Sequence, residues 1–120
     1  VSETARRFEL QLLKAEFFKA LGHPTRIRIL EILRHGQRSV QELQQALRLD
    51  QSIVSQHLAI LRAKNVVDTR KQGTTVRYTV RDAAVGELLD VARRIFGRHL
   101  EDSRSMLAEL RREQRGVRRR

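Results

Sequence analysis

Two short helical patterns joined by only three residues, with a strand-period segment directly behind them, constrain this chain more than any other feature. Ser39, Val40, Gln41 and Glu42 have the form of a capping box, in which the serine hydroxyl accepts an amide three residues on and the glutamate reaches back. The spacing predicts a short helix from there to Leu47, with Val40, Leu43 and Leu47 turned inward. Arg48 to Asp50 form the link, and Asp50 is placed to cap a second helix running from Gln51 to about Lys64. Helices joined this tightly make a helix-turn-helix.

Behind them, Val66 to Arg70 and Thr74 to Val80 alternate in the strand period, with Val76, Tyr78 and Val80 on one face. Gly73 supplies the positive φ that a tight reversal between them needs. Three more helices complete the pattern. One spans about Ala5 to Leu21, with Phe8, Leu12, Ala15 and Phe18 at helical spacing and Phe17 beside them. A second starts at Pro24 and ends before Gly36. A last one is capped by Asp82 and carries Val85, Leu88, Leu89, Ala92, Ile95, Phe96, Leu100, Met106, Leu107 and Leu110. The expected fold is mostly α with a β-hairpin wing, a winged helix-turn-helix in the order α-α-α-α-β-β-α. Residues 1–110 are read as one DNA-binding and dimerisation domain and 111–120 as a basic, disordered tail.

On a wheel of the helix from Gln51, Val54, Leu58 and Leu61 form one stripe with His57 beside it, while Ser52, Ser55, Gln56, Ala59 and Ala63 fall opposite. That outer face is small, polar and nearly uncharged, where a merely solvated face more often carries Lys and Glu. In a major groove, amides and hydroxyls reach base edges and alanine meets thymine methyls. Ser52, Ser55 and Gln56 are therefore expected to read bases. Arg62, Lys64, Arg70, Lys71 and Arg77 are the expected contacts to the DNA backbone, which fix register without carrying sequence information.

Charge agrees with a polyanionic partner. The chain of 120 residues has a formal net charge of +11. Six arginines lie in the last ten positions, and without that segment 19 basic residues still face 13 acidic ones. Neutralising phosphates releases counterions and drives association. Charge alone fits equally a sequence-tolerant, nucleoid-type nucleic-acid-binding protein, but that alternative leaves the uncharged reading face unexplained.

Other classes find little support. No Gly-rich phosphate loop, paired catalytic carboxylates or nucleophile elbow appears, and Ser55 and His57, two apart on a helix, diverge, so no enzyme is expected. No apolar run is long enough to span a membrane, and Glu3, Arg6 and Arg7 interrupt any signal-peptide pattern, so a cytoplasmic, nucleoid-associated protein is expected. The sequence contains no cysteine, which removes disulfides and thiolate metal sites.

The chain resembles the ArsR/SmtB family of bacterial repressors through KAEFFKALGHPTRIRILEIL (Lys14 to Leu33), SVQELQQAL (Ser39 to Leu47), QSIVSQHLAILRAKNVV (Gln51 to Val67) and GTTVRYTV (Gly73 to Val80). The resemblance implies a homodimer built from the first and last helices, with Phe8, Leu12, Phe17, Leu88, Ala92, Ile95 and Phe96 at the interface. It also implies an imperfect palindromic operator in double-stranded DNA, with Gln51, Ser52, Ser55 and Gln56 as the base-reading set and His57 joining the backbone contacts. Metal ligands of relatives do not carry over. Ser39, Val40 and Gln41 stand where thiolate sensors have their cysteine motif; Asp82 matches one position of a zinc set whose others hold Ala84, Ile95 and Arg98. His99 and Asp102, three apart on the last helix, could hold a metal through nitrogen and oxygen only as two pairs across a dimer, against the ordinary reading of a solvated histidine and carboxylate. No metal or cofactor is expected, and a small-molecule effector, a protein effector and control by abundance stay open.

Overall fold

Local capping chemistry sets most of the element boundaries in the computed structural model, which describes residues 2–118. The Ser2 hydroxyl accepts the Ala5 amide and starts α1 (Glu3–Leu21). His23 accepts the Thr25 amide through Nδ1, and Pro24, which has no amide to leave unpaired, opens α2 (Pro24–Leu33). Ser39 and Glu42 form the full reciprocal capping box of α3 (Val40–Leu47), with Glu42 N to Ser39 Oγ at 3.2 Å and Ser39 N to Glu42 Oε1 at 3.1 Å. Arg48 then takes a left-handed conformation (φ 56°) and turns the chain into α4 (Gln51–Ala63). Asp50 stands at the N-cap of α4, but its side chain makes no capping bond there, so that part of the sequence reading is corrected. The turn geometry and the packing of Val54, Leu58 and Leu61 set the start of this helix instead.

Asn65, also left-handed (φ 60°), ends the α4 region, and the Val66 amide returns to Leu61 O at 2.9 Å. The chain continues into β2 (Val67–Gln72), reverses at Gly73 with φ 61°, and returns as β3 (Thr75–Val80). The two strands are antiparallel, pairing Val67 with Val80 and Thr69 with Tyr78. A further strand, β1 (Arg38–Ser39), pairs antiparallel with β3 through Arg38 to Tyr78 and Ser39 to Arg77, giving a three-stranded sheet in the order β1-β3-β2. The sequence reading has only the hairpin, because two residues are too short to show alternation.

The core comprises Ala20, Leu21, Ile29, Leu30, Leu33, Leu43, Leu47, Val54, Leu58, Leu61, Val66, Val67 and Val85, all buried. These side chains come from α1 to α4, Val66 and Val67 where the chain enters β2, and the start of α5 (Ala84–Arg118). Asp82 accepts the Ala84 amide at the head of α5. The chain divides into two compact units, Val1–Gly86 and Glu87–Arg120. Gly86 is buried, and a Cβ there would approach the Arg34 guanidinium to 3.0 Å, which accounts for a glycine inside a helix. The helix runs on to Arg118, so residues 111–118 are helical where the sequence reading begins a disordered tail; Arg119 and Arg120 lie outside the described residues. Among the described residues no helix is long and apolar enough to cross a membrane.

Candidate nucleic-acid interface

The buried stripe of α4 fixes which of its side chains face outward. Val54, Leu58 and Leu61 are fully enclosed, which turns Gln51, Ser52, Gln56, Ala59 and Ala63 to solvent. Ser55 is half-buried on the flank of that face. Ile53 and Ile60 are exposed as well, on the other flank, and the sequence reading places neither of them.

Cationic groups gather where α4 meets the wing. Arg62, Arg70 and Lys71 are exposed, and a shallow polar groove between the end of α4 and β2 is lined by Arg62, Asn65, Asp68, Thr69, Arg70 and Thr79. Arg70 and Arg77 are directly opposed across β2 and β3. Like charges in that position repel unless something neutralises them. Glu42 does so for Arg77, accepting from Nη1 at 2.9 Å. The same carboxylate takes the Ser39 amide, and these bonds hold Glu42 below its usual pKa of 4.5, the Ser39 amide being the largest cause. Arg77 is thus tied to the start of α3 while keeping further N–H donors; Arg70 presents its charge outward.

Two of the residues expected on the DNA backbone are engaged elsewhere. Lys64 Nζ lies 2.9 Å from Glu16 Oε2 on α1, and Lys19 shares that carboxylate at 3.4 Å. His57 is half-buried and points toward α2: its ring packs at 4.4 Å from that of His23, and its Nδ1 lies 3.3 Å from Arg26 Nη1. Burial pushes the His57 imidazole below its ordinary range, and the charges of His23 and Arg26 push in the same direction.

The residues expected to form a dimer fall on two faces. Phe8 and Leu12 are exposed on α1, and Phe17 is half-buried with an edge-on contact to Phe18 at 5.5 Å. On α5, Ile95 (58% exposed) and Phe96 (67%) lie open, and Leu88 and Ala92 are half-buried. Among the described residues no group of three or more His, Asp or Glu side chains is arranged to hold a metal ion.

The model of the bacterial regulatory protein arsR family matches residues 23–69, from the cap of α2 into β2. An uncharacterised helix-turn-helix transcriptional regulator of Mycobacterium tuberculosis, Rv0081, is 46% identical over 103 residues, covering 85% of this chain and 90% of the relative. The chain belongs to the arsR family. The regulator's fold agrees with that assignment. The crystal structure of Rv0081 matches with a TM-score of 0.70 at 47% identity, over 78% of this chain and 94% of that one. A solution structure from Mycobacterium bovis, described as a homodimeric winged helix-turn-helix DNA-binding domain, matches with a TM-score of 0.75 at 27% identity, over 85% and 93%. Transcriptional activator HlyU of Vibrio cholerae is 40% identical over 78 residues, covering 65% of this chain and 72% of the relative. The chain is accordingly a winged helix-turn-helix DNA-binding transcriptional regulator.

Proposed function

We propose that the protein is a homodimeric repressor that binds an imperfect palindromic operator, reading bases with Gln51, Ser52, Ser55 and Gln56. The observation that carries this reading is the outward face of α4. It presents amides, hydroxyls and alanines with almost no charge, while Arg62, Arg70 and Lys71 gather beside it. A protein that bound nucleic acid by charge alone would place its cations on that face. Here the uncharged face meets base edges and the cations meet phosphates. Arg77, braced by Glu42, holds the wing against the start of α3 and turns its remaining donors to the backbone.

The apolar faces of α1 and α5 supply the dimer, through Phe8, Leu12 and Phe17 on one helix and Leu88, Ala92, Ile95 and Phe96 on the other. Two-fold symmetry would then set two reading helices about 34–36 Å apart, one turn of DNA. Occupying an operator with both heads blocks the polymerase, which makes repression the expected output.

Selection of duplexes from a random library tests this directly. The selected duplex should be palindromic and should exceed a scrambled one in affinity by at least about a thousandfold. Gln56→Ala or Ser52→Ala erases that preference, whereas Arg70→Ala weakens both duplexes alike and lowers the salt slope by about 1. Failure to enrich any sequence would return the reading to a nucleoid-type binder. Transcription in vitro that rises with added protein would replace repression by activation.

A further inference from the structure

The HPTR stretch at the head of α2 lies away from the outward face of α4, yet its side chains touch three helices. Arg26 Nε donates to Ala20 O at 2.6 Å and Nη2 to Lys19 O at 3.3 Å, both carbonyls in the last turn of α1. A helix C-terminus leaves carbonyls short of intrahelical donors and favours a cation there, and Lys19 O also accepts the Gly22 amide at 3.0 Å. The third edge of the guanidinium reaches His57 Nδ1 on α4 at 3.3 Å. Arginine can only donate, so Nδ1 accepts and the imidazole proton is on Nε2. His23 is under the same restriction, because its Nδ1 accepts the Thr25 amide at 3.0 Å.

We propose that Arg26 is a positioning residue for DNA reading, clamping the end of α1 to His57 beside Gln56, and that the clamp closes only while His57 is neutral. The inference rests on α4 being the reading helix. Protonation at Nδ1 would turn the His57 acceptor into a donor facing a guanidinium and add a positive charge within contact distance of Arg26. His57 directly follows Gln56, so a rotation of α4 that relieves this repulsion moves the reading amide with it.

The groups acting on the His57 proton are His23 and Arg26 from α2. From α1, Glu16 and Lys19 bind one another and Glu16 takes Lys64, so these charges are engaged among themselves. The folded state holds His57 below its ordinary pKa of 6.5. The neutral clamp is therefore complete above that value and is lost as pH falls through the folded one. Because α1 also carries Phe8 and Leu12, a shift of that helix reaches α4 through the same guanidinium.

Binding of the selected and scrambled duplexes is measured by fluorescence anisotropy between about pH 8 and about pH 5.5, with helix content followed by circular dichroism throughout. The wild-type preference should fall by about tenfold on acidification with helix content unchanged. His57→Gln, whose amide oxygen accepts from Arg26 at every pH, should flatten that dependence. Arg26→Ala should lose preference already at the alkaline end, while His35→Gln and His99→Gln keep the wild-type slope. A full slope in His57→Gln, a slope that disappears in His35→Gln or His99→Gln, wild-type preference in Arg26→Ala, or loss of helix content alongside binding would each overturn the proposal. A readout without DNA separates its failure from that of operator reading: ¹⁵N imidazole shifts should show His57 protonated only on Nε2 and titrating below its ordinary value, with Arg26→Ala raising it. A His57 that titrates normally and ignores Arg26→Ala overturns the clamp whether or not any duplex is selected.

Discussion

Ser39→Ala removes one oxygen at the junction of sheet and helix-turn-helix, and its cost follows from the geometry. The hydroxyl accepts the Glu42 amide at 3.2 Å, and Ser39 is only 5% exposed, so water has little access to replace it. Loss of a serine N-cap costs about 1 kcal/mol in general, within a range of about 0.5–2. Leaving an amide unpaired in a dry site moves the estimate toward the upper end, about 1.5 kcal/mol. For a domain of this size that is a fall in Tm of roughly 6–12 °C. Urea unfolding followed by circular dichroism reads it directly, with exposed Ser103→Ala as a control expected within about 0.5 kcal/mol of wild type. A Ser39→Ala change below about 0.3 kcal/mol at unchanged m-value would show that the capping box is not what holds α3, and the cap argument would fail.

Other consequences are simpler to state. Leu58→Ala empties a fully enclosed site beneath the outward face of α4 and should cost about 2–5 kcal/mol by the same unfolding assay. The fold favours the ionised form of Glu42, so its stabilising contribution is complete above the ordinary value of 4.5 and fades as pH falls through the lowered one. Melting curves of wild type and Glu42→Gln should therefore differ at neutral pH and converge in acid. Phe96→Glu, at an exposed position of α5, should shift sedimentation from dimer to monomer without loss of helix content.

The helix-turn-helix was readable from periodicity because α3 and α4 bury one stripe each. Leu43 and Leu47 of α3, and Val54, Leu58 and Leu61 of α4, recur at three or four residues and are buried as that spacing requires. The capping box is equally local, since Ser39 and Glu42 find one another within a single turn. What escaped the sequence depends on contacts between distant segments. β1 exists because β3 lies beside it, and Glu42 meets Arg77 across 35 positions. His57 is apolar enough to sit at the edge of the core and polar enough to suggest a phosphate contact; only the approach of Arg26, 31 positions earlier, decides its direction. Asp50 shows the converse, an ideal capping residue at the right position whose side chain makes no capping bond.

The sheet order β1-β3-β2 leaves one further consequence. β3 lies between its neighbours, whereas the outer side of β2 has no partner strand among the described residues. A free strand edge invites pairing with the same edge of another molecule, the first step of aggregation. Arg70 and Lys71, adjacent on β2, bring a block of positive charge to that edge in each copy. Two wings approaching edge to edge meet like charge at close range, while a phosphate backbone meets its opposite. The cations proposed to meet DNA on this strand should thus also oppose polymerisation of the unbound protein through it. Neutralising both should be seen first as turbidity on concentration, before any operator is added.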